Sequence, residues 1–166
     1  MTSVSRRLVL TALPLLTVAA CAGQLPGQPQ GFATKAPAFG PDEPPLYPNE
    51  TLALRALINK WADHYRVPRD LVHAQVKRES THQAHVRAGP YWGLMQILPQ
   101  TARTMGFSGP NEQLLNPDVN LQYGVKYLRG AWLVSGGDRK AAMTWYARGY
   151  YYEAKRKGLL EETGLV

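Results

Sequence analysis

From Thr51 onward, apolar residues recur with the period of a helix. Leu52, Leu54, Leu57, Ile58 and Trp61 fall three and four apart between Thr51 and Tyr65, which predicts an amphipathic helix and not a strand. Val67-Pro68-Arg69-Asp70 then breaks the chain and places proline near a new first turn. In the helix expected from roughly Arg69 to Arg78, the residues Leu71, Val72, Gln75 and Val76 share one face. Glu79 falls on that same face, eight residues after Leu71 and four after Gln75. Val86 to Trp92 reads as a loop around the breaker Gly89-Pro90. Gly93 to Leu98 is apolar and compact, and Pro99 opens a helix through Met105 that Gly106 ends. Asn116-Pro117-Asp118 combines a capping side chain, a first-turn proline and an acid near the positive helix end. That helix should run to about Val134 and stop at Gly136-Gly137. Asp138 caps another from Arg139 to about Ala147, and Tyr150 to Lys157 forms a last short one. There are no repeats and no β-hairpin pattern, so the predicted fold is mostly α, a single helical domain over residues 50–166.

The first fifty residues are of a different kind. Arg6 and Arg7 precede an apolar run, Leu8 to Ala20, of thirteen residues. A helix of that length is too short for a hydrocarbon core of about 30 Å, so residues 1–20 read as a signal peptide. Val18-Ala19-Ala20-Cys21 resembles the lipobox of bacterial lipoproteins, which implies cleavage before Cys21 and its acylation. A soluble secreted protein cut nearby, with Cys21 incidental, is the competing reading. The resemblance places the chain in the periplasm, anchored in a membrane through its N-terminal lipid, with the outer membrane favoured. Ser5-Arg6-Arg7-Leu8 also resembles a twin-arginine export signal. Cys21 is the only cysteine, so a disulfide or cysteine-based metal site within one chain is excluded. Residues 22–49 carry seven prolines and four glycines, and residues 21–49 read as a lipidated end and an extended, solvated linker. Fully stretched, it reaches roughly 80–90 Å at 3.1 Å per residue.

Charge adds less. Without Arg6 and Arg7 the chain has 17 basic and 12 acidic residues, a net +5. The basic residues are scattered, and the only run, Lys155-Arg156-Lys157, falls at a helix end, so nucleic acid is not an expected partner. An anionic polymer would be attracted by the same balance.

Glu79 is the candidate for chemistry. A carboxylate closing an apolar stripe faces the core, where desolvation penalises its charged form and raises its pKa. A carboxyl protonated near neutral pH can act as a general acid on a glycosidic oxygen. Periodicity alone also fits a helix-terminal glutamate facing solvent.

The surrounding motifs favour the first reading. Glu79-Ser80, then Gly93-Leu94-Met95-Gln96-Ile97-Leu98-Pro99-Gln100-Thr101-Ala102, resembles the soluble lytic transglycosylase domain of the lysozyme-like superfamily. Asn116-Pro117 to Asn120, Gly124, Tyr127-Leu128 and Trp145-Tyr146 continue the resemblance, which covers about Ala56 to Gly149. It implies a lysozyme-like fold, peptidoglycan glycan strands as substrate and Glu79 as the single catalytic acid. Glu79 would protonate the oxygen between N-acetylmuramic acid and N-acetylglucosamine, then take the proton of the sugar's own 6-hydroxyl as a 1,6-anhydro ring closes. No cofactor is implied.

Each neighbour has an expected role. Gly93 would let backbone approach the catalytic helix or the sugar. Leu94 and Met95 would pack around Glu79, and Gln96 would hydrogen-bond sugar hydroxyls or an N-acetyl group. Ser80 would hold a substrate oxygen or cap its helix, and Tyr146 would reach toward Glu79. Tyr91, Trp92 and Tyr123 are candidate stacking surfaces. The family's usual Asn-Ala after the tyrosine is Ala147-Arg148 here, and Arg148 would have to supply the missing donors. His82 and His85, three apart in a loop with no third ligand indicated, do not make a metal site expected. Between Glu79 and Asp118 the only acid is Glu112, so no second carboxylate is indicated. A hydrolytic muramidase and a peptidoglycan-binding scaffold without activity stay open as alternatives, as does a partner complex in the cell wall or a secretion machine.

Overall fold

The computed structural model describes residues 44–166. The expected signal peptide, Cys21 and most of the linker lie outside the described residues. The folded part is built of six helices: α1 (Leu52–Tyr65), α2 (Arg69–Ser80), α3 (Pro99–Thr104), α4 (Pro117–Val134), α5 (Arg139–Arg148) and α6 (Tyr151–Lys157). This is the mostly helical architecture that the sequence predicts.

The helix starts follow local chemistry. Thr51 Oγ1 accepts from Leu54 N at 3.1 Å, Asn116 Oδ1 from Asp118 N at 2.9 Å, and Asp138 Oδ1 from Ala141 N at 2.6 Å. Each bond satisfies an amide that the helix leaves without an internal partner. Helix α4 is the centre of the domain and packs against α1, α3, α5 and α6. Its buried face contributes Leu121, Val125, Leu128, Ala131 and Val134 to a core shared with Ile58 of α1 and Leu71, Val72 and Val76 of α2. A second apolar cluster of Trp92, Ile97, Ala102, Phe107 and Leu114 lies under the loops before α4.

Two glycines in α4 admit neighbours that a methyl group would exclude. A Cβ on Gly124 would stand 2.7 Å from Met95 Cβ and Cγ, and one on Gly130 would meet the Tyr150 ring. The Gly93–Leu98 segment and Tyr150 therefore seat against the backbone of α4.

Three features differ from the sequence reading. A two-stranded antiparallel hairpin, β1 (Arg87–Ala88) with β2 (Tyr91–Trp92), turns through Gly89-Pro90. Two-residue strands are too short to show alternation. A 3-10 helix spans Asn111–Leu115, a stretch to which the sequence reading assigns no element. Third, residues 44–49, expected to belong to the linker, are mostly exposed but tied to the domain. The buried Arg55 side chain donates to the carbonyls of Pro44 and Pro45 and grips the buried Glu50 carboxylate, its Nη2 2.7 Å from Glu50 Oε2. Tyr47 stacks on His82 with ring centroids 5.1 Å apart. The segment is held against the domain by groups that composition cannot reveal. Among the described residues, no helix is long and apolar enough to cross a membrane.

Candidate active site

Helix α2 decides where Glu79 points. Leu71, Val72, Gln75, Val76 and Ser80 are buried along one face, and Glu79 follows Gln75 by one turn. Its side chain is 20 % exposed, at the wall of a cleft of about 580 Å³. Arg78, Tyr91, Gln96, Tyr127, Tyr146 and Arg148 are among the other lining residues. Gln75, fully buried, donates from Nε2 to Glu79 Oε1 at 2.7 Å and fixes the carboxyl.

Burial raises the Glu79 pKa above the ordinary carboxylate value, and the positive charge of Arg78, with Nε 3.6 Å from Oε1, opposes that rise. The net direction is upward, because desolvation of a carboxylate outweighs a cation that is itself half in water. Among the described residues that line the cleft, Glu79 is the only carboxylate. Glu112 is exposed in the 3-10 helix and lines no part of it.

The Gly93–Gln96 loop is a support more than a contact surface. Leu94 and Met95 are fully buried, and neither they, Gly93 nor Ser80 lines the cleft. Expected to contact substrate beside their packing and capping roles, these four residues keep only the latter here, since none of them reaches the cleft. Ser80 donates from Oγ to Val76 O at 3.2 Å, closing the last turn of α2. Gly93 has φ +67, and a Cβ there would collide with Asn120 and the Leu114 carbonyl. The close approach it permits is thus to α4 and the 3-10 helix, not to the catalytic helix or a sugar.

Gln96 does face the cleft, but both its amide donor bonds turn inward. Nε2 donates to Gly93 O at 2.7 Å and Val86 O at 3.1 Å. Its amide oxygen is what it can offer a ligand as an acceptor. Gln96 holds this shape at φ +44, in the left-handed region that costs a non-glycine residue roughly 1–3 kcal/mol.

Tyr146 lines the cleft with Glu79, and its hydroxyl donates to Met95 O at 2.8 Å. Burial pushes its pKa well up, and the nearby Glu79 charge adds to that. The tyrosine therefore stays neutral and braces the loop while its ring lines the cleft. Arg148 lies at the exposed C-terminal end of α5, on the cleft with Ala147. Among the expected stacking surfaces, Tyr91 is on the cleft and 45 % exposed. Trp92 is buried beneath the Arg87 guanidinium, which lies 4.1 Å from the ring centre. Tyr123 packs edge-on against Phe107.

Sequence reasoning gave no role to Asn120 beyond its place in a motif. It is fully buried and joins three segments: Nδ2 donates to Trp92 O at 2.8 Å and Leu114 O at 2.7 Å, and Oδ1 accepts from Met95 N at 2.8 Å. An asparagine on the apolar face of α4 was the available signal, since a buried amide needs partners. Arg78 and Tyr127 were missed as lining residues because nothing local marks them. Of the two loop histidines, His82 is buried and His85 exposed.

Glu79 thus stands as a half-buried carboxyl with a raised pKa at the wall of a cleft, on a mostly helical domain. Residues 56–159 match the family model of the transglycosylase SLT domain. This protein belongs to the SLT family of lytic transglycosylases, enzymes that act on peptidoglycan.

Proposed function

We propose that the protein cleaves the β-1,4 bond between N-acetylmuramic acid and N-acetylglucosamine and leaves 1,6-anhydro-muramic ends, with Glu79 as acid and then base. The observation that carries the reading is the lone cleft carboxyl, raised by burial and oriented by Gln75. Protonated Glu79 gives its proton to the bridging oxygen as the C1–O bond breaks, and the glucosamine unit leaves with a free 4-hydroxyl. The N-acetyl oxygen of the muramic residue stabilises C1, as in glycosidases that use one enzyme carboxyl. The muramic 6-hydroxyl then attacks C1 and passes its proton to the Glu79 carboxylate, which restores the acid. Attack from within the same sugar has a high effective concentration, so water need not be activated by a second carboxylate. Arg148 and the Gln96 amide oxygen are the groups that would hold the sugar, with Tyr91 as a stacking face.

Mass spectrometry of sacculi digested by the wild type beside Glu79→Gln tests this. Anhydro-muropeptides from the wild type alone are the expected result. Products heavier by one water would make the enzyme a muramidase. Sacculi that are bound but uncut by the wild type would make it a scaffold, with Ala147-Arg148 as the altered corner.

We further propose export and lipid anchoring at Cys21, on the periplasmic side of the outer membrane. The apolar run ending in Val18-Ala19-Ala20-Cys21 supports it. A mature N-terminus without the mass of acyl chains, or one unchanged in Cys21→Ala, would refute it.

A further inference from the structure

Outside the cleft, one largely buried cluster of side chains leaves three imidazole nitrogens, His73 Nδ1 and both of His82, without a hydrogen-bond partner. Glu50 precedes α1, His73 lies in α2 and His82 follows its end, and one donor atom from each falls within 4.8 Å of the others. His73 Nε2 is 3.0 Å from Asn59 Oδ1. An amide oxygen only accepts, so Nε2 carries the ring proton. The neutral ring then turns the Nδ1 lone pair toward Glu50 Oε1, 3.4 Å away, and Nδ1 has no hydrogen-bond partner. Two acceptors face each other with no proton between them.

His82 is odder still. It is 2 % exposed, and neither ring nitrogen has a hydrogen-bond partner. A buried polar group left unsatisfied destabilises the fold. Thr81 and His82 both adopt left-handed backbone, φ +50 and +62, to bring the ring inward, and Tyr47 stacks over it. A phenylalanine would fill the same space without that cost.

We propose that Glu50, His73 and His82 bind a divalent transition metal, zinc being the ion this donor set fits, which fastens the segment before α1 to the catalytic helix. Two imidazole nitrogens and one carboxylate oxygen form a zinc donor set. Metal–ligand bonds of about 2.0–2.2 Å in a tetrahedron set donors roughly 3.4 Å apart, the separation that His73 Nδ1 and Glu50 Oε1 already have. His82, within 4.8 Å of the other two donors, has to close by at most about 1.4 Å to join them.

The supporting bonds suit such a site. Asn59 fixes the ring of His73, while Arg55 Nε and Tyr47 N donate to the Glu50 oxygens at 3.1 and 2.9 Å. Ligating histidines and carboxylates are usually held in this way. Arg55 takes part of the carboxylate's charge, which sets the affinity below that of a four-ligand structural site. A groove lined by Tyr47, Arg55, Asn59 and His73 gives approach from solvent. The site is independent of whatever reaction Glu79 performs.

The test uses untagged protein stripped with a chelator and titrated with Co²⁺ and Zn²⁺, beside His82→Phe. Expected are one ion per chain, visible absorption of four-coordinate cobalt, and a melting temperature that rises with zinc. His82→Phe keeps the ring and its stacking and should weaken binding at least tenfold. His73→Gln gives the same readout should His82→Phe fail to fold. The proposal is overturned if the wild type takes up neither ion. It is equally overturned if stoichiometric binding persists in both variants, which would assign the ion to exposed His64 or His85.

Discussion

Replacing Asn120 with leucine keeps the volume of the side chain and removes three hydrogen bonds at once. The carbonyls of Trp92 and Leu114 lose their amide donor, and the Met95 amide loses its acceptor. Trp92 O keeps the bond it accepts from Ile97 N, so the loss concentrates on Leu114 O and Met95 N. At about 1–3 kcal/mol for each buried group left without a partner, the variant should lose roughly 2–6 kcal/mol. That is a large share of the roughly 5–15 kcal/mol that holds a domain together. Urea unfolding followed by far-UV circular dichroism measures it directly, with the slope unchanged and the midpoint shifted down. Activity should fall as well at temperatures where the variant is folded, because Met95 O is the acceptor that braces Tyr146. A loss under about 1 kcal/mol would refute the reasoning, since the loop would then be held by its apolar packing and not by Asn120.

Other substitutions separate catalysis from stability. A raised Glu79 pKa means that this group's contribution to stability is whole below its unfolded pKa and is lost as pH rises through the folded value. Glu79→Gln should therefore be more stable than the wild type at neutral and alkaline pH and lose that advantage in acid, while activity drops by about 10²–10⁴; pH-dependent unfolding and turnover assays read the two effects. The wild-type rate should decline as pH rises through the Glu79 pKa, and Arg78→Gln, which removes the opposing positive charge, should move that decline to higher pH. Tyr146→Phe strips the Met95 carbonyl of a donor and should cost about 1–3 kcal/mol in chemical unfolding. Gly124→Ala drives a methyl into Met95 Cβ and Cγ, 2.7 Å away, and should destabilise by about 1–3 kcal/mol as an overpacked core does, with a lower melting temperature as the readout.

The elements that sequence made legible are those whose signals are local. Helix α4 begins at Asn116-Pro117-Asp118 because cap, proline and acid all act within one turn, and Asp138 likewise starts α5. The burial of Glu79 followed from its phase on α2. What escaped depends on partners far along the chain. The Tyr146 hydroxyl meets a carbonyl 51 residues away, so its orientation was legible only as a direction. Gln96 was expected to give its amide to the substrate, but a left-handed backbone turns that amide onto Gly93 and Val86. Residues 44–49 have the composition of a linker, and only a buried arginine downstream makes them part of the domain.

That docking changes the length of the leash. For a chain anchored at Cys21, as proposed, the tether can count at most 22 residues, 22–43, instead of 28, 22–49. Its limiting radius falls to roughly 70 Å at 3.1 Å per residue. The volume an anchored enzyme can sweep scales with the cube of that radius, so it drops to about half. Within that smaller volume the effective concentration of catalytic domain at the wall roughly doubles. In a chain so anchored, two proline carbonyls on one arginine would cap how far from the membrane the domain reaches, and raise how densely it works there.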